Sequence, residues 1–151
     1  MLKANDFIEK FELEKHPEGG FYKRTFLQEE NKFSSILFLL TKNNFSVFHK
    51  IKSDEQWNWF YGDNIVIHEI DVEGNYHQTI LSNKKEQLNF QYIVKANHWF
   101  ASECIGTNGF SFCGCTVVPA FSFDDFELAQ CNTLTEKFSQ HQDLIHKFTR
   151  Q

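Results

Sequence analysis

The stretch "GFSFCGCTVV", Gly109–Val118, sorts its side chains into two sets. In an extended chain Phe110, Phe112, Gly114, Thr116 and Val118 share one face, and Cys113, Cys115 and Val117 the other. Upstream, "IVIHEIDVEGNYHQTIL" at 65–81 holds Gly74-Asn75 between two β-rich runs and reads as a hairpin. Working outward, further strand-like runs appear at Ser35–Leu40, Val47–Ile51, Trp57–Tyr61, Ile65–Asp71, Tyr76–Leu81, Leu88–Val94 and Trp99–Cys104. With Phe110–Val118 these make eight short runs in about 85 residues, separated by turn residues, and they predict a β-sandwich or barrel.

The ends read differently. Asp6 is placed to cap a short helix whose apolar side is Phe7, Ile8 and Phe11. Pro17 and Gly19-Gly20 then punctuate the chain and permit a turn into an aromatic strand. Leu134, Phe138, His141, Ile145 and Phe148 recur at steps of three and four, predicting one amphipathic terminal helix. No repeat, linker or low-complexity segment interrupts the chain, so residues 1–151 are expected to form a single domain.

Composition narrows the class. Hydrophobic residues make up 41% and charged residues 23%, a globular balance, and 18 phenylalanines raise the aromatic fraction to 17%, which favours strands. A net charge of -5 supplies no broad basic surface, so neither nucleic acid nor an anionic membrane is an expected partner. The N-terminus has no apolar run of signal-peptide length and nowhere do 18 apolar residues run together, so a cytoplasmic location is expected. Cys104, Cys113, Cys115 and Cys131 form no CxxC pair and are expected to be reduced, packed thiols.

Three motifs add a resemblance: "HPEGGFY" at 16–22, "SDEQW" at 53–57 and "GCTVVPAFSFDDFEL" at 114–128. In this order they resemble a cupin-superfamily family of unassigned function. The resemblance implies a double-stranded β-helix, the cupin jelly-roll barrel, with an internal pocket for a small-molecule ligand and a homodimeric assembly. Metal-binding cupins resemble G-x5-H-x-H-x3/4-E-x6-G followed by P-x-G-x2-H-x3-N. Here His49, Glu55 and Gly62 keep their places, but Ile51 stands at the second histidine and Phe100 at the third. Two donors are too few for tight zinc or iron binding, so no metal and no other cofactor is expected.

Without metal, His49 and Glu55 are the catalytic candidates, on neighbouring strands, where a carboxylate can raise and orient an imidazole for acid/base work. Glu55, Trp57 and Trp59 share parity, and together with Trp99 the tryptophans are either a wall for a cyclic ligand or core. Glu18, Tyr22, Lys23 and Arg24 are candidates for the pocket rim, with a cation for an anionic group, or else a turn with solvated charges. Cys115 is a pocket thiol or, more simply, packing. His68 and His77 could meet across the hairpin, without a third donor. Phe121, Phe123 and Phe126 can close one barrel end, with Asp124 and Asp125 in solvent.

The leading reading is a metal-independent protein that binds a small polar cyclic metabolite, such as a sugar or nucleotide-sugar, and isomerises or epimerises it. A noncatalytic binding or sensor module is the alternative. A metal-dependent oxygenase is a third reading, which the lost donors disfavour.

Overall fold

In the computed structural model, which describes residues 2–28 and 30–150, the stretch Phe110–Val118 is one strand at the centre of a sheet. The strands are β1 (Glu14–Lys15), β2 (Phe21–Leu27), β3 (Ser34–Thr41), β4 (Phe45–Lys50), β5 (Asp54–Gly62), β6 (Asn64–Ile70), β7 (Tyr76–Leu81), β8 (Gln91–Val94), β9 (Trp99–Ile105), β10 (Phe110–Val118) and β11 (Glu127–Leu128). They form two antiparallel sheets, ordered β1-β2-β3-β10-β5-β8 and β11-β4-β9-β6-β7. The fold is therefore mostly β, a jelly-roll barrel with short helices at its ends.

Alternation decides which residues fill the barrel. Cys113 and Cys115 of β10, Trp57 and Trp59 of β5, Ile65 and Ile67 of β6, and Phe38 and Leu40 of β3 meet between the sheets. Trp57 and Phe38 are 1% exposed, and each such side chain contributes roughly 1.5–3 kcal/mol by leaving water. The other face of β10 is also covered: Phe110 and Phe112 pack with Leu39 under α1 (Ala4–Phe11), which contributes Phe7. The outer face of the second sheet is covered by the C-terminal helices through Phe48, Ile70, Leu134, Phe138, Ile145 and Phe148.

Several expectations need correction. Asp6 lies inside the first turn of α1, where its carboxylate accepts the backbone N–H of Lys3, the capping residue, at 2.7 Å. The expected single terminal helix is broken into α2 (Cys131–Lys137), a 3-10 turn at Ser139–His141 and α3 (Gln142–Lys147). Phe138 leaves helical geometry at the break, with φ -132 and ψ 58, and its ring turns into the shared core. β4 and β5 do not neighbour each other. They lie in opposite sheets, so His49 and Glu55 face one another across the barrel instead of along one sheet. The hairpin at Gly74-Asn75 forms, but His68 pairs with Gln78 and His77 with Glu69, so the two histidines point apart. His68 is buried, held between the Tyr76 hydroxyl and Glu103.

Candidate functional site

The HPEGG turn plugs one end of the barrel. Gly19 and Gly20 have φ of +115 and +77, and a Cβ would lie 2.1 Å from the Phe45 carbonyl oxygen or 2.7 Å from that of Leu39. Only glycine permits this approach to both sheets at once. His16 Nδ1 accepts the Glu18 backbone N–H at 3.3 Å, and the Glu18 carbonyl accepts the Val47 N–H at 2.8 Å. So fixed, Glu18 points its carboxyl inward.

There it meets His49, with Oε2 3.1 Å from Nε2. His49 Nδ1 lies 2.8 Å from the Val47 carbonyl, which can only accept, so Nδ1 carries a hydrogen and Nε2 offers its lone pair to Glu18. Burial pushes the Glu18 carboxyl well above its ordinary range, an effect increased by the charge of Glu55, and burial pushes His49 down to about 3. The shared proton therefore rests on Glu18. His16, lowered to about 4 by burial, is neutral as well.

Glu55 enters from β5 in the opposite sheet. It is 8% exposed, and among the described residues its one polar side-chain contact is the Cys115 thiol. Burial raises it to about 7. Between these groups lies a cavity of about 180 Å³. This is small against the roughly 300–1,000 Å³ of drug-sized sites. Ile36, Ile51 and Val117 supply hydrocarbon walls, and Tyr22, Arg24, Phe121 and Phe123 stand at the mouth. Phe126 closes against the His49 ring at 5.4 Å, so the three phenylalanines do gather at this barrel end.

The structure brings together Glu18, Tyr22, Arg24, His49 and Glu55 from the sequence candidates, and places four others elsewhere. Lys23 points away and pairs with Glu12. Trp57 is core, edge-on to Phe38 and Phe100 at ring-centroid distances of 5.6 and 6.5 Å. Trp59 is also core and donates its Nε1–H to the Asp63 carbonyl at 2.8 Å. Trp99 packs outside the barrel under α2, beneath the Lys50 ammonium. The aromatic boundary of the cavity comes from Tyr22, Phe121 and Phe123. Cys115, which the sequence left between pocket thiol and packing, borders the cavity, and so does His16, which was not among the sequence candidates. Inward parity of Cys115 with Cys113 was the available signal for the first.

A metal does not fit these residues. His49 spends both ring nitrogens, on Val47 and on Glu18. Phe100 stacks on it at 4.1 Å, Ile51 lines the cavity, and among the described residues no three donors converge. His98 does not stand in, because it is bound to Glu69 instead.

Barrel and site together define a jelly-roll protein with a small, titratable internal cavity at one end. The chain belongs to a cupin-superfamily family, Cupin superfamily (DUF985), whose pattern matches residues 5–129. Among solved structures it is similar to a protein from Shewanella oneidensis, 36% identical with a TM-score of 0.93, the match covering 99% of both chains. It is also similar to a hypothetical protein from Leishmania major, 27% identical with a TM-score of 0.92, covering 99% of this chain and 100% of that one. Oxalate decarboxylase from Bacillus subtilis, at 10% identity and a TM-score of 0.62 over 89% of this chain and 36% of its own, shares the fold alone. No curated protein matches the chain significantly. Among the described residues no helix is long and apolar enough to cross a membrane.

Proposed function

We propose that this cupin binds a small polar cyclic metabolite and moves a proton on it, isomerising or epimerising it without a metal. The observation that carries this reading is Glu55: a buried carboxyl with little internal hydrogen bonding, bordering a cavity and poised at about 7. A group whose pKa lies near working pH is the most effective general acid or base. Across the cavity the Glu18–His49 pair holds one proton between its two members, and can give it up to become an anion or take it back to become neutral. Two proton-transfer groups on opposite sides of a ligand suit removal of a proton from one face of a carbon and return to the other. Arg24 at the mouth supplies a cation for an anionic substituent.

Incubating the protein with candidate sugars and other small cyclic metabolites in D2O tests this. Solvent deuterium should appear at one carbon of the substrate. A ligand that binds tightly and never exchanges would make the protein a binding or sensor module instead. Homodimerisation, expected from the family resemblance, belongs to the same proposal, and a monomer mass by light scattering would remove it.

A further inference from the structure

Among the buried polar groups bordering the cavity, Glu55 is left with the least hydrogen bonding. Both His49 nitrogens are engaged, one of them by Glu18, and His16 Nδ1 accepts the Glu18 backbone N–H, which leaves its Nε2–H as a donor. The Ser34 hydroxyl accepts the Phe121 N–H at the rim and keeps its own hydrogen to donate. The buried Glu55 carboxyl is contacted by a thiol alone among the described residues. It calls for a ligand that brings donors, and an ammonium has N–H donors and no acceptor.

Charge points the same way. Glu14, Glu55 and the neutral Glu18 border the cavity, while Arg24 is its one Lys or Arg side chain among the described residues, and it stands at the mouth. An anionic group pushed inward would face the Glu55 carboxylate, and a cationic group would pair with it. Ile36, Ile51 and Val117 would lie against a carbon skeleton.

We infer that the ligand is a small zwitterion of the amino-acid class, its ammonium seated against Glu55 and Glu18 and its carboxylate held by Arg24. This rests on the cavity being the ligand site, as proposed above, and narrows what it takes.

Matched pairs test it: proline against tetrahydrofuran-2-carboxylate, and serine against glycerate, in which oxygen replaces the charged nitrogen. Titration calorimetry on the intact protein should show the ammonium member of at least one pair binding about ten-fold or more tighter, below about 10 mM. Binding should also release protons as Glu55 ionises, seen as a dependence of the heat on buffer. Glu55→Gln should erase the preference, and Arg24→Gln should weaken both members of a pair alike. The inference is overturned if the oxygen analogues bind equally well, if no amine binds in that range, or if Glu55→Gln keeps the preference. The wild-type comparison needs no variant to fold. Amine binding without deuterium exchange would keep this inference and end the isomerase reading. Exchange into a neutral sugar with no amine preference would do the reverse.

Discussion

Glu55 and Glu69 are both glutamates on inward positions of barrel strands, one on each sheet, and both are buried. Glu69 shares parity with Ile65 and Ile67 and is 2% exposed. Its Oε2 accepts the Tyr92 hydroxyl at 2.6 Å and its Oε1 pairs with His98 Nδ1. Glu55 shares parity with Trp57 and Trp59, meets only a thiol and borders open space. A buried carboxylate is expensive unless hydrogen bonds replace its water. At Glu69 that replacement is complete and the residue is structure. At Glu55 only a thiol takes that place, and the carboxyl borders the cavity.

The largest expected effect separates the two by activity. With a turned-over substrate in hand, Glu55→Gln should lower kcat by roughly 10²–10⁴-fold, the usual worth of a general acid or base. A variant that retained full turnover would remove Glu55 from the mechanism. Glu69→Ala should do the opposite. It strands the Tyr92 hydroxyl and the His98 N–H, and should cost roughly 3 kcal/mol or more of unfolding free energy in urea titrations. If Glu69→Ala melted like the parent, the contrast drawn here would be wrong.

The next effect is one of sign. Glu55 titrates at about 7 in the folded protein against 4.5 as its ordinary value, so the folded state holds more protons than the unfolded one between these limits. Its contribution to stability is fully present below about 4.5 and is lost as pH rises through about 7. The total is about 3 kcal/mol. Glu55→Gln should therefore stabilise the protein at pH 8 even as it lowers turnover, and the gain should vanish at pH 4 in denaturation curves. His16 and His49, lowered to about 4 and about 3, act in the other direction: stability present above their ordinary 6.5 is lost as pH falls toward those values. Glu55→Gln should leave that acid limb in place, whereas a variant that flattened both limbs would mean that the groups titrate as one unit.

The same pair of glutamates shows what the sequence could reveal. Alternation grouped Glu55 with Trp57 and Trp59 on one face of β5, which the structure turns inward, but it left open whether Trp57 lines a ligand site or the core, and the structure puts it in the core. The same alternation also fixed the extent of β10, Phe110–Val118, which the structure repeats. What alternation does not carry is depth along the barrel. Glu55, Trp57 and Trp59 have the same parity, but only Glu55 lies at the open end, because the HPEGG turn and the 119–126 segment determine where the space is. Partner choice was equally hidden. His49 was matched to Glu55 by spacing, and it bonds to Glu18, thirty-one positions earlier, because the two glycines bring that turn against the sheets. The break at Phe138 was invisible for a related reason: steps of three and four describe a face, and two short helices meeting at a turn present the same face to a sheet.

The smallest expected effect concerns two neighbours the sequence could not tell apart. Lys23 and Arg24 are adjacent cations on β2, and successive side chains of a strand leave on opposite faces. Lys23 pairs on the outside with Glu12, both side chains well exposed, an arrangement that contributes little in water. Arg24 stands at the cavity mouth, and no carboxylate among the described residues forms an ion pair with it. Lys23→Ala should thus leave ligand affinity within about two-fold of the parent, while Arg24→Ala should weaken a ligand with an anionic group by about ten-fold, the worth of one charge-assisted contact. Titration of one anionic ligand against both variants measures the difference. Equal losses would mean that long-range charge draws the ligand in and that the face each side chain occupies is irrelevant. That equality should then disappear at high salt, since exposed charges are screened beyond about 10 Å at 0.1 M, whereas a direct Arg24 contact would survive it better.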